Sequence, residues 1–109
     1  MKHGDLRHRI GFEQPTVTNN GEATEESWSS FASDVPARVR PLSGREIAAV
    51  GTELAGKTRA FEIRYGNSVG LTESMRVTHE SVAYNILSIT PDDTLRDRVV
   101  ILAEAGIRG

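Results

Sequence analysis

Short stretches in which apolar and polar residues alternate recur along most of the 109-residue chain. Such alternation is typical of a β-strand that buries one face, because successive side chains of a strand point to opposite sides. The segment LRHRIGFEQPTVT alternates through Ile10 and Phe12, and WSSFASDVPARVRPL places Val35, Ala37 and Val39 on one face. This pattern constrains the chain to a mainly β fold.

Further strands are predicted in the second half, at TRAFEIRY, MRVTH, VAYNILSI and RVVILAEA. The joints GNSVG, HESV and PDDT are composed of residues that favour turns. Several short strands with close turns predict a small antiparallel barrel or sandwich. Pro15 cannot donate a ladder hydrogen bond, so we expect it at an edge position or a strand end. Phe12, Phe61 and Tyr65 fall on alternating positions and are predicted to lie in the core.

One short helix is predicted after the second strand region. GREIAAVGTELAGKT places Ile47, Val50 and Leu54 at helical spacing, with Gly51 inside the segment. Ser43 and Glu46 have the S-x-x-E spacing of a capping box, in which each side chain accepts from the other residue's backbone N–H. The stretch VRPLSGREIAAV is therefore interpreted as a strand-to-helix joint, and it lacks the glycine and lysine pattern of a phosphate-binding loop.

Length and composition bound the remaining choices. We expect a single domain over residues 1–109, with 1–5 and the polar, turn-rich 19–27 flexible. The absence of cysteine excludes disulfides and thiolate metal sites. The formal net charge of −2 argues against a dedicated nucleic-acid binder, which needs a basic surface. No apolar stretch approaches transmembrane length, so we expect a soluble protein made in a cytoplasm.

The search for chemistry favours no enzyme. The histidines lack the i, i+4 spacing of zinc hydrolases, and His8 and His79 are predicted to be partly buried or surface residues of strands. We therefore expect no catalytic residue, metal or cofactor. Arg38, Arg40 and Arg45 form the best positive cluster, which favours a protein interface or plain surface. Two alternatives stay open: a small barrel that binds single-stranded nucleic acid, and, more remotely, a hydrolase with either histidine near a carboxylate.

The order of segments resembles the phage head–tail joining proteins, also called head–tail adaptors or head-closure proteins, of tailed bacteriophages and prophages. The resemblance runs almost end to end, through LRHRIGFEQPT, Trp28, ARVRPLSGRE, FEIRY, MRVTHESVAYNILSI and RVVILAEAG. Its most specific pieces are R-V-x-P-L-S-G-R-E and the later M-R-V followed by Y-N-I-L-S-I. The turn GNSVGLTES is slightly longer than the usual connection in such proteins.

The resemblance implies a virion structural protein without catalysis or cofactor. Such a subunit forms a ring, expected to be six- or twelve-fold, that closes the DNA-filled head and docks the tail. Implied partners are further copies of itself, the portal or connector protein, and a tail terminator or tail completion protein. DNA would pass through the ring without specific binding, and no membrane is involved. The location would be the head–tail connector of the virion, after assembly in the host cytoplasm.

The same resemblance gives the strand-to-helix joint a second role. We expect residues 43–57 to contact a neighbouring subunit or to face the central channel. The candidate subunit or portal interface comprises Arg38, Arg40, Ser43, Arg45 and Glu46. Within it, Arg45 and Glu46 are predicted to form ion pairs between subunits.

Overall fold

Within the described part of the chain, six antiparallel strands close into a barrel in the order β1-β2-β3-β6-β5-β4. The structure is a computed structural model that describes residues 6–19, 24–91 and 97–105. The strands are β1 (His8–Asn19), β2 (Thr24–Arg40), β3 (Thr58–Arg64), β4 (Arg76–His79), β5 (Val82–Pro91) and β6 (Arg98–Glu104). The prediction of a mainly β, barrel-like fold with a helical segment after the second strand is confirmed.

The helical segment is divided in two at Gly51. It comprises α1 (Gly44–Val50) and α2 (Thr52–Ala55), and a single 3-10 turn follows β3 at Tyr65–Ser68. Gly51 has φ +89° and ψ 152°, a backbone conformation that residues other than glycine rarely adopt. The predicted helix therefore cannot continue through it. Among the described residues, no helix has the length and apolar character needed to cross a membrane.

The barrel interior is filled by the apolar face of every strand. Phe12 and Phe61 are fully buried, as predicted, and each contributes on the order of 1.5–3 kcal/mol of transfer free energy. Tyr65 is instead half exposed, because the chain leaves β3 at Arg64 and enters the 3-10 turn. The buried cluster consists of Ile10, Phe12, Val35, Ala37, Phe61, Ile63, Met75, Val77, Ile86, Val99, Ile101 and Ala103.

β1 and β2 continue beyond the barrel as a two-stranded ribbon, called here the arm (residues 14–19 and 24–29). β1 pairs with β4 over Gly11–Glu13, whereas Gln14 to Asn19 pair with β2 and with no other described strand. Pro15 therefore occupies an edge position, as predicted. The loop expected over 19–27 is shorter, because residues 24–27 belong to β2; residues 20–23 and 1–5 lie outside the described residues.

Two bulges mark the place where β1 and β2 leave the barrel. The register shifts between Ile10 and Phe12 and again between Phe12 and Glu13, and Asp34 opposite has φ +54°. Bulges bend a strand and increase its twist, which turns the ribbon out of the closed sheet.

A two-residue hairpin turn joins β4 to β5. Its residues Glu80 and Ser81 both have positive φ, the conformation of a type I′ turn.

Candidate interface at the strand-to-helix joint

The joint between β2 and α1 is a complete capping box. The backbone N–H of Glu46 donates to Ser43 Oγ at 3.3 Å, and the backbone N–H of Ser43 donates to Glu46 Oε1 at 2.9 Å. Two N–H groups that the first helical turn would leave unpaired are thereby satisfied. The spacing-based prediction for Ser43 and Glu46 is confirmed, and the box fixes where α1 begins.

Glu46 also begins a chain of ion pairs that leads from α1 to the outer face of β3 and on to β6. Arg40 donates from Nη1 and Nη2 to the two carboxylate oxygens of Glu46, at 2.7 and 2.9 Å. The Nε of Arg40 donates to Glu62, and Arg98 Nη1 donates to Glu62 Oε1 at 3.1 Å. The Arg40–Glu46 pair is bidentate, the geometry in which a guanidinium holds a carboxylate best. This ion-pair chain ties α1 to the barrel.

The two carboxylates of the ion-pair chain are largely shielded from solvent. The Glu62 side chain is 4% exposed although it lies on the opposite face of β3 from the core residues Phe61 and Ile63. The outer face of β3 is therefore covered. The two hydrogen bonds from Arg40 outweigh the desolvation of Glu46 and lower the pKa of that carboxyl from 4.5 to about 2. The same pairing raises the pKa of Arg40, so both groups stay ionised at every physiological pH.

The five residues of the predicted interface separate into two groups. Arg40, Ser43 and Glu46 come together in one hydrogen-bonded unit within the chain. Arg38 and Arg45 are exposed, Arg38 on β2 and Arg45 in the first turn of α1. Glu46 has its carboxylate engaged by its own chain, which leaves Arg45 as the more available of the two residues for contact with another molecule.

A groove of about 500 Å³ lies between α1 and the outer face of β5 and β6. Its walls are formed by Arg45, Glu46, Ala49, Ser88, Thr90, Pro91, Val100 and Leu102. Ile47, which is 38% exposed, adds an apolar side chain to the surface of α1. The groove was not predicted from the sequence. The uninterrupted apolar run Val99–Ala103 could have indicated it, since a strand covered on both faces loses its alternation.

His8 and His79 were predicted to be partly buried or surface residues of strands, and both are partly buried, in β1 and β4 respectively. Their rings meet edge to face with centroids 5.1 Å apart. Their separation along the chain does not predict this contact, because the two strands become neighbours only when the barrel closes.

A closed barrel with a ribbon-like arm and a helix fixed beside an open groove defines a small structural domain with surfaces suited to protein contacts. Comparison with known proteins identifies which one. The family model described as phage head completion protein matches residues 1–106, and the chain belongs to this family. The predicted resemblance to head-closure proteins is thereby confirmed. Head completion is a structural role, so the chain is a virion component that interacts with other virion components.

A solved structure agrees with this fold over its whole length. The chain is similar to the solution structure of protein SF1141 from Shigella flexneri 2a, with 27% sequence identity and a TM-score of 0.77. The similarity covers 100% of both chains. No curated protein matches the sequence.

Proposed function

We propose that the protein forms a ring between the portal and the tail, where it closes the DNA-filled head and docks the tail. The observation that carries this proposal is the match to the head completion family over residues 1–106. Closing a head after packaging requires a subunit that repeats around the portal axis, and closed rings are built from heterologous contacts in which one patch meets a different one. Six or twelve copies, other virion proteins above and below, and assembly in the host cytoplasm belong to the same proposal.

Residues 43–57 supply one of these patches. Every residue of α1 and α2 keeps part of its surface exposed, and small side chains such as Ala48 and Ala49 permit close approach of a neighbour. Arg40, Ser43 and Glu46 hold α1 rigidly, so a partner meets a preformed surface and little ordering entropy is lost on binding. Arg45 at the edge of the groove provides the charge that pairs with the neighbour, and exposed Arg38 extends the patch along β2.

The overall charge suits a channel for DNA. With a formal net charge of −2, the subunit carries no excess of positive charge to retain a polyanion. DNA could therefore pass through the ring without specific binding. A barrel that binds single-stranded nucleic acid would be expected to carry a net positive charge.

The test is co-sedimentation of the purified protein with DNA-filled, tailless capsids that carry the cognate portal, followed by electron microscopy of the vertex. We expect a ring of added density with DNA retained. Arg45→Glu should abolish it, and Arg45→Lys, which keeps the charge, should not. Intact rings in the Arg45→Glu variant would refute the assignment of this patch. Failure of the unmodified protein to bind, with salt-sensitive binding to single-stranded DNA, would refute the ring itself.

A further inference from the structure

Two rows of inward-facing residues end in histidine at one mouth of the barrel. The row on β1 consists of Phe12, Ile10 and His8. The row on β4 consists of Val77 and His79. The two strands pair antiparallel, with Phe12 opposite Val77, so both rows approach the same end of the barrel. The function proposed above makes no use of these two rings.

A carboxylate completes the cluster. Glu80 follows His79 directly and lies in the type I′ hairpin, where its Oε1 is 3.8 Å from His79 Nε2. One nitrogen from each histidine and one oxygen of Glu80 all lie within 4.8 Å of one another. The His79 side chain is 10% exposed and packs edge-on against Phe61, whereas that of Glu80 is 77% exposed. A firmly packed ring is thus placed beside an acid that is free to move.

We propose that His8, His79 and Glu80 bind one divalent transition-metal ion of the Zn²⁺ class. Imidazole nitrogens with a single carboxylate suit Zn²⁺, Ni²⁺ or Cu²⁺, whereas Mg²⁺ and Ca²⁺ prefer oxygen ligands alone. Tetrahedral coordination at about 2.0–2.2 Å places ligand atoms roughly 3.3–3.6 Å apart. Reaching that spacing from the observed 4.8 Å or less requires both the exposed Glu80 side chain and the His8 ring to rotate towards His79. A fourth position stays open for water or for a ligand from a partner.

The bound ion strengthens the shortest seam of the barrel. β1 and β4 pair over Gly11–Glu13, and the ion joins them beyond the end of that pairing, from His8 to the β4–β5 hairpin. Arg9 and Asp34 both line the surface pocket that contains His79 and Glu80, so their opposite charges largely offset each other and the three ligands alone set the affinity. We therefore expect a dissociation constant in the micromolar range. At a hundredfold excess over it, Tm should rise by roughly 10 °C or more.

The test uses the untagged full chain, titrated with ZnCl₂ by calorimetry while NMR follows the histidine ring nitrogens. We expect one ion per chain and simultaneous shifts of the His8 and His79 rings. Glu80→Gln, at an exposed position that the fold tolerates, should weaken binding several-fold, and His8→Gln at least tenfold. His3→Gln is the matched control and should change nothing. The proposal would be overturned by absence of binding at 1 mM Zn²⁺ or by ring shifts confined to His3. It would also be overturned if His3→Gln lost as much Zn²⁺ affinity as His8→Gln.

Discussion

Replacement of Glu62 by glutamine tests whether the ion-pair chain stabilises the fold. The Glu62 carboxylate is 4% exposed and accepts hydrogen bonds from both Arg40 and Arg98, whose side chains are 22% and 31% exposed. Glutamine keeps the shape but removes the charge, which leaves two guanidinium groups facing each other across a neutral amide. Breaking a buried pair from one side costs about 3–5 kcal/mol. Because both arginines retain some solvent and Arg40 retains Glu46, we expect the lower end, about 3 kcal/mol.

A loss of that size is large against the ~5–15 kcal/mol that stabilises a typical domain. It corresponds to a Tm lower by roughly 10–20 °C for a chain of this length. Urea and thermal unfolding followed by far-UV circular dichroism measure it directly. Glu53→Gln, which removes an exposed carboxylate from α2, is the matched control and should change stability by less than about 0.5 kcal/mol. If the free energy of unfolding of the Glu62→Gln variant lies within 1 kcal/mol of that of the unmodified protein, the ion-pair chain does not stabilise the fold as argued.

Two further predictions concern α1 and the β1–β4 seam. Glutamine at position 46 preserves the capping box but not the charge pair with Arg40, so Glu46→Gln should lower stability by about 1–2 kcal/mol above pH 5. Since the pKa of Glu46 is lowered from 4.5 to about 2, that difference should shrink as the pH falls from 4.5 towards 2; urea midpoints that stay equally far apart at pH 7 and pH 3 would contradict it. A Cβ on Gly11 would lie 2.6 Å from Thr78 Oγ1, so Gly11→Ala should cost about 1–3 kcal/mol. Thr78→Ala should recover part of that loss in the double variant, and no recovery in thermal unfolding would show that the contact is not the cause.

Local sequence patterns predicted those features that depend on neighbouring residues. Ser43 and Glu46 are three positions apart, and the capping box they form requires nothing from the rest of the chain. Strand alternation located the core for the same reason. Alternation failed at Tyr65, where the apolar pattern continues past the end of the hydrogen-bonded strand. Composition, rather than alternation, misled at residues 24–27, because pairing with β1 overrides the turn-forming composition of that segment.

Contacts set by strand register could not be predicted from spacing. Arg40 reaches Glu62 because β2 and β3 pair with Arg40 opposite Ala60, and a shift of one residue would turn the carboxylate to the core face. His8 and His79 meet only because β1 and β4 close the barrel. The spacing test that rejected a metal site applies to ligands on one helix, so it was silent about two histidines on different strands.

The arm shows why an assembly partner would matter to this fold. At its base, Arg76 lies 4.3 Å above the Trp28 ring and donates from Nε to Glu13 Oε1 at 2.6 Å, which ties the ribbon to β4. Beyond that point Gln14 and Thr16 pair with β2 and with no other described strand. An isolated two-stranded ribbon is marginally stable in water, because neither face is covered. In the ring proposed above, a neighbouring subunit that covered one face would stabilise the arm, so the free energy gained there would favour assembly over the free subunit.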